Sequence, residues 1–246
     1  MCPHSRLDEP ESAQHSLVPH LTELRDRLLR AGGAVIGVFL GLAYWAPDIF
    51  RFFVQPLTAN LPEDGRMIVT DVTASFFVPM KVTLLVAFVM VLPYVLYQVW
   101  AFISPGLYKH EKRLVVPLVG SSYVLFLSGM SFAYYVVFPL LFRMLAHYSA
   151  PLGVQMATDI ACYLDFALSM FLTFGLIFEI PLAVVLCVHA GTVSILQLKQ
   201  IRPYVIVGAF IIGAIVTPPD VFSQLILAVP LILLYEAGII FARWLI

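Results

Sequence analysis

Residues 161–190 read ACYLDFALSMFLTFGLIFEIPLAVVLCVHA, and this stretch decides the fold. Before His189 its only charged side chains are Asp165, near the start, and Glu179. As a helix rising 1.5 Å per residue the run spans roughly 45 Å, more than the ~30 Å hydrocarbon core of a bilayer. Glu179 falls only about 6–7 Å from the midpoint by the same rise. A charged group at that depth costs roughly 2.5–3.5 kcal/mol on insertion scales. Its side chain must therefore face protein or water rather than lipid. One reading makes Glu179 a packing residue hydrogen-bonded to a neighbouring helix. The preferred reading makes it a polar point in a cavity that meets a substrate or a partner helix.

The composition agrees with a membrane protein. Of the 246 residues, 61% are hydrophobic and 12% charged, where soluble domains carry about 25% charged residues. The mean hydropathy is +0.94. A net charge of −1 gives no basic face for nucleic acid. Cys162 and Cys187 sit about 37 Å apart along one helix, far beyond the ~7 Å limit for a disulfide. No C-x-x-C or H-E-x-x-H spacing occurs, and neither a metal nor another cofactor is expected. The first apolar run begins after Arg30 with no small-residue cleavage pattern behind it, so it is expected to remain in the mature protein.

Six spans are expected, in an all-α, polytopic fold. Residues 1–16 are polar and Pro-containing and are expected to form a disordered tail. Residues 17–246 form the membrane domain. Leu17, Leu21, Leu24 and Leu28 fall on one face of an amphipathic interfacial helix that leads into the bilayer. Span one covers about 31–50, and its Gly33, Gly37 and Gly41 form a doubled G-x-x-x-G suited to close helix packing. Span two covers about 76–103 and span three about 114–142. Span four is the Glu179 run, and Pro181 is expected to kink it by removing a donor and crowding the carbonyl four residues back. Spans five and six look short. About 203–216 is free of charge, and the last span meets Glu236 roughly 23 Å after Val221. Bilayer thinning or a wet, protein-lined cavity would accommodate them.

Lys and Arg set the orientation. Ten of the fourteen fall in segments on one side: Arg6, Arg25, Arg27, Arg30, Lys109, Lys112, Arg113, Lys199, Arg202 and Arg243. By the positive-inside rule both termini are expected in the cytoplasm.

That side carries two placed carboxylates. Glu23 lies in His20-Leu-Thr-Glu-Leu-Arg25, and Glu111 in Tyr108-Lys-His-Glu-Lys-Arg113. A carboxylate pairs bidentately with an arginine, so two of them can hold two arginines of an incoming peptide. Glu23 can equally pair with Arg27 one helical turn on.

Taken in order, His20-Leu-Thr-Glu-Leu-Arg25, Tyr97-Gln-Val-Trp-Ala-Phe-Ile103, Leu107-Tyr-Lys-His-Glu111, Phe178-Glu-Ile-Pro181, Arg202-Pro-Tyr204 and Thr217-Pro-Pro-Asp220 closely resemble the TatC family, the receptor subunits of the twin-arginine protein translocase. The likeness runs from about residue 17 to the end. It implies export of folded proteins across the inner membrane of a bacterium, driven by the proton motive force, and no enzyme reaction. It implies a signal-peptide site at Glu23, Arg25, Phe102 and Glu111. It places Glu179 as the family's intramembrane glutamate on a concave, glove-like face. TatA and TatB would dock near spans five and six, with Thr217 and Gln224 as polar contacts and Asp220 at the extracytoplasmic turn. Homo-oligomers within a receptor complex are also implied.

A proton-coupled carrier of a small solute is the competing class, since an intramembrane carboxyl and Pro-broken helices suit one. Against it, only one acid is central and no internal repeat pairs the halves. A membrane enzyme lacks its parts: there is no G-x-S-x-G, no metal cluster and no pair of intramembrane aspartates.

Overall fold

The computed structural model describes residues 14–58, 66–71, 73–107, 115–141, 157–217 and 220–245. Helix α1 spans Gln14–Leu42, and after a 3-10 turn at Ala43–Trp45 helix α2 continues through Ala46–Thr58. Strand β1 (Arg66–Ile68) precedes α3 (Ala74–Leu107) and α4 (Val115–Phe132). A π turn at Ala133–Val137 extends α4. Then come strand β2 (Ala157–Asp159), α5 (Ile160–Phe178), α6 (Ile180–His189), α7 (Ile195–Val216) and α8 (Val221–Leu245). Six of the helical runs are long and apolar enough to cross a membrane, so the fold is the expected all-α six-span one.

Several boundaries differ from the expectation. The amphipathic segment and span one as far as Leu42 form one helix, α1, which begins at Gln14, and span one continues past the 3-10 turn into α2; the residues before Gln14 lie outside the described ones. Span five starts at Ile195 rather than near Pro203. Ser194 and Gln197 form a reciprocal cap there: the Gln197 amide donates to Ser194 Oγ at 3.2 Å and the Ser194 amide to Gln197 Oε1 at 2.8 Å. Two orphan donors are thereby satisfied, and the helix runs on through Pro203. At 22 and 24 residues, spans five and six remain the shortest of the six.

The helices pack in the order α1, α3, α4, then α5 with α6, then α8, then α7. The flanking helices α1 and α7 therefore bury least: 6% and 11% of their most apolar windows, against 28–39% for the other four. Apolar attraction does not hold helices together in lipid, so close fit must. The core centres on α5, where Ala167, Met170, Phe171, Phe174 and Ile177 meet Leu85, Val137, Phe138, Leu227, Ala228 and Leu231. Fit is tightest at glycines. A Cβ on Gly129 of α4 would collide with the Phe174 carbonyl of α5. One on Gly238 of α8 would stand 2.9 Å from Pro181 Cα of α6. By contrast, Gly33, Gly37 and Gly41 have nothing within 4 Å of an added Cβ, so that stripe packs on no described helix of its own chain.

Two helix interruptions lie beside prolines, whereas the helices run on through Pro93, Pro203 and Pro230. The π turn lies just before Pro139, whose ring crowds the Tyr135 carbonyl. Glu179 alone separates α5 from α6, two residues before Pro181. Its amide bonds back to the Leu176 carbonyl at 3.1 Å, a tighter turn than an α-helix makes.

Before α3 and α5 begin, β1 and β2 make a short parallel pairing, with Arg66 opposite Ala157 and Ile68 opposite Asp159. Asp159 ties strand to helix. Its Oδ1 accepts from the Ala161 and Cys162 amides at 2.7 and 3.2 Å, capping α5, and its Oδ2 accepts from the Thr70 hydroxyl and amide. The Thr70 hydroxyl, then the Cys162 amide, hold this carboxyl below the usual carboxylate range, against a smaller opposing effect of burial. A depressed value stabilises the fold above the free-aspartate pKa of about 3.9 and is lost as pH falls through the lower folded value. Asp159→Ala should lower the melting temperature of the protein in detergent at neutral pH. The gap between parent and variant should close below about pH 4.

The glycines supply a second test. Gly129→Ala and Gly238→Ala should each cost about 1–3 kcal/mol by overpacking. Gly33→Ala and Gly37→Ala should be neutral, or stabilising by up to about 1 kcal/mol, in the isolated chain. Reversible unfolding in mixed detergent measures all four.

Candidate functional site

The functional candidates fall at three levels of the bundle. At the end rich in Lys and Arg, Glu23 and Arg25 project from α1. Glu23 Oε1 accepts from Arg27 Nε at 3.0 Å and from Nη2 at 2.6 Å, the one-turn pair that spacing allows. Arg25 Nη2 reaches Asp26 Oδ1 at 3.0 Å. Glu23 is 44% exposed and Arg25 69%, so both side chains remain open to a ligand. Phe102 lies half-buried on α3, which packs against α1. Glu111 lies outside the described residues.

Deeper, Glu179 occupies the break in span four. It is ten residues, about 15 Å, from His189 at the basic end. Ser122 of α4, fully buried, donates its hydroxyl proton to Glu179 Oε2 at 2.8 Å. Trp100 of α3, also buried, donates its indole N–H to Ser122 Oγ at 2.8 Å. Three spans thus meet at one carboxyl group. Its other oxygen, Oε1, is buried and has no hydrogen-bond partner among the described residues.

The third level is the α7–α8 hairpin. Thr217 is buried and its hydroxyl donates to the Gly213 carbonyl at 2.8 Å. Gly213 faces the backbone of Gln224, and an added Cβ would meet Gln224 Cα at 3.5 Å, an ordinary contact. Asp220 is exposed and caps α8, its Oδ2 accepting from the Ser223 amide at 2.8 Å. At the basic end of the same hairpin Arg202 Nη2 pairs with Glu236 Oε2 at 2.6 Å. Beside it, the buried Tyr235 hydroxyl donates to the Leu198 carbonyl at 2.9 Å, five residues before Pro203.

Sequence reasoning missed four of these contacts. Arg202 and Glu236 are the charges that bound the apolar parts of spans five and six, and their similar depth was the available signal. Lys81 and Asp165, each near the start of its span, pair at 2.6 Å across α3 and α5. Trp100 and Ser122 were visible only as polar groups in apolar runs, and nothing in the sequence aimed them at Glu179.

These features define a six-span helical membrane protein with a carboxyl group inside the bilayer and a basic end bearing exposed carboxylates. A family model, the Sec-independent protein translocase protein TatC, matches residues 19–230. The TatC protein of Haemophilus influenzae is 50% identical over 240 residues, covering 98% of this chain and 92% of that one. That of Escherichia coli K12 is 53% identical over 228 residues, covering 93% and 88%. A crystal structure of the twin-arginine translocase receptor TatC superposes with a TM-score of 0.82 at 36% identity, covering 92% of this chain and 98% of that one. The chain belongs to the TatC family of protein translocase components, multi-pass membrane proteins that work in transport.

The hairpin contacts should differ in weight. Arg202 and Glu236 are 41% and 34% exposed, so Glu236→Ala should cost no more than about 1 kcal/mol, the range of exposed pairs. Tyr235→Phe removes a buried hydrogen bond to a helical carbonyl and should cost about 0.5–1.5 kcal/mol. Unfolding in mixed detergent measures both.

Proposed function

We propose that this protein is the receptor component of a twin-arginine translocase in a bacterial inner membrane. It binds twin-arginine signal peptides at its basic, cytoplasmic end and assembles with TatA and TatB to export folded proteins at the expense of the proton motive force. The observation that carries this reading is the family match across nearly the whole chain together with exposed carboxylates at the basic end. Glu23 already holds an arginine: Arg27 reaches its Oε1 through both Nε and Nη2. A signal arginine docks by replacing Arg27. The exchange is cheap, because exposed ion pairs are worth only about 0–1 kcal/mol. Glu111 takes the second arginine, Arg25 lines the site, and Phe102 packs against the residues beside the pair. Arginine rather than lysine is read because its planar fork matches a carboxylate with two bonds.

Glu179 is the intramembrane polar point that a signal hairpin or partner helix meets. TatB and TatA dock on the α7–α8 hairpin. Its α7 face is lightly buried, and Gln224, half-buried, and Thr217, buried, lie at the far end of the hairpin with Asp220 at the turn. A polar contact there is worth about 0.6 kcal/mol on average and up to ~1.7, so single alanine changes loosen partner binding without abolishing it. Copies of the chain assemble within the receptor complex, and the open Gly33, Gly37 and Gly41 stripe supports close packing there.

Two outcomes are expected. Reporter fusions at Lys109 and Gln197 should read as cytoplasmic, and those at Glu63 and Ala150 as extracytoplasmic; a reversed pattern removes the signal site from the cytoplasm. Glu111→Lys and Glu23→Ala should weaken capture of a twin-arginine precursor in membrane vesicles while the protein inserts at normal levels. Undiminished binding by Glu111→Lys would refute the carboxylate-pair site.

A further inference from the structure

We propose that Trp100 and Ser122 are positioning residues that turn Glu179 into a one-sided hydrogen-bond donor inside the bilayer, aimed at an uncharged acceptor on the translocating or partner helix. The proposal rests on the reading of Glu179 as the polar point of transport.

An indole N–H only donates. Trp100 donates to Ser122 Oγ at 2.8 Å, which occupies one lone pair and leaves that hydroxyl a single proton to place. It goes to Glu179 Oε2, 2.8 Å away. With the hydroxyl proton so placed, the relay runs from α3 through α4 to the break in span four, and Oε2 is the acceptor of the pair. Any proton that Glu179 carries sits on Oε1.

Oε1 is buried and has no partner among the described residues. The ion pairs found among those residues do not include Glu179. A lone carboxylate there is costly, whereas a neutral carboxyl group needs only an acceptor for its O–H. The relay thus satisfies one oxygen and leaves the other without a partner; Oε1 is enclosed by protein and meets an incoming acceptor once the side chains packed over it move aside. Backbone carbonyls near a helix end, or a serine, threonine, asparagine or glutamine side chain, are the acceptors an otherwise apolar helix can bring to that depth. An amide reproduces this arrangement, with its carbonyl taking the Ser122 proton and its N–H₂ standing where Oε1–H stood.

The test uses the full chain in lipid nanodiscs and in membranes. A neutral carboxyl group absorbs at a carbonyl frequency distinct from ionised carboxylates, and the Glu179 band is the one absent from Glu179→Gln. It should move to higher frequency in Ser122→Ala, move less in Trp100→Phe, and stay in place in Ser122→Thr, which keeps the hydroxyl. At equal membrane levels, export of a folded twin-arginine cargo should fall roughly five- to tenfold in Ser122→Ala, the effect of leaving a buried polar group without its partner. Export should persist in Ser122→Thr. Precursor capture at the cytoplasmic face should be unchanged in all of them. No Glu179 carbonyl band in the parent, an unshifted band in Ser122→Ala, or normal export by Ser122→Ala would each overturn the proposal. Loss of precursor capture in the parent protein would instead refute the translocase reading and leave the spectroscopic result standing. Trp100→Phe and Ser122→Thr keep the proposal decidable if Ser122→Ala accumulates poorly.

Discussion

Hydrocarbon offers no hydrogen bonds, so each polar group within the bilayer has to be answered by the protein that put it there. Glu179 is the most demanding case in this chain. Its answer is a hydrogen bond from a helix that precedes it by 57 residues, supported in turn by the indole of a third helix. That requirement draws α3, α4 and the α5–α6 junction to one point. The glycines then let the same helices approach closely. Gly129 receives the Phe174 carbonyl, Gly175 receives the Phe126 ring, and Gly238 receives Pro181. Packing and polar satisfaction coincide on α4 and span four, while Gly238 extends the close fit to α8.

Prolines create the openings that this arrangement uses. A proline removes one backbone donor and crowds the carbonyl a turn back. Before Pro181 the helix stops for one residue, and that residue is Glu179. Before Pro139 it widens into a π turn, beside which Phe132 packs on Phe174 and Phe178 at ring separations of 5.6 and 5.5 Å. Around Pro203 the hairpin is held by Tyr235 on the Leu198 carbonyl and by Arg202 on Glu236. In each case another helix supplies contacts within a turn or two of the proline. Bends of this kind are tolerated in a membrane only under that condition.

The six spans were legible because hydropathy acts over whole segments. The special standing of Glu179 was legible because a single carboxyl stands out in an apolar run. The interruption near Pro181 followed from ring geometry, and the Glu23–Arg27 pair from one-turn spacing. What escaped were the partners. Hydropathy says that Lys81, Asp165, Arg202 and Glu236 lie near span ends, but not which span stands next to which. The neighbour order, with span six between spans four and five, is set by long-range fit. The start of span five at Ile195 was hidden because its first turns are polar, and only the Ser194–Gln197 cap marked them. The β1–β2 pairing was hidden because three-residue strands carry no periodicity.

The central claim is that the polarity of Glu179, more than its charge, serves transport. The direct measurement is export of a folded twin-arginine cargo by Glu179→Gln and Glu179→Leu at equal membrane levels, with signal-peptide binding followed in parallel. The account predicts that the Gln variant keeps much of the export, that the Leu variant inserts well but loses it, and that both still bind the signal peptide. Normal export by the Leu variant, or equal failure of both, would contradict it.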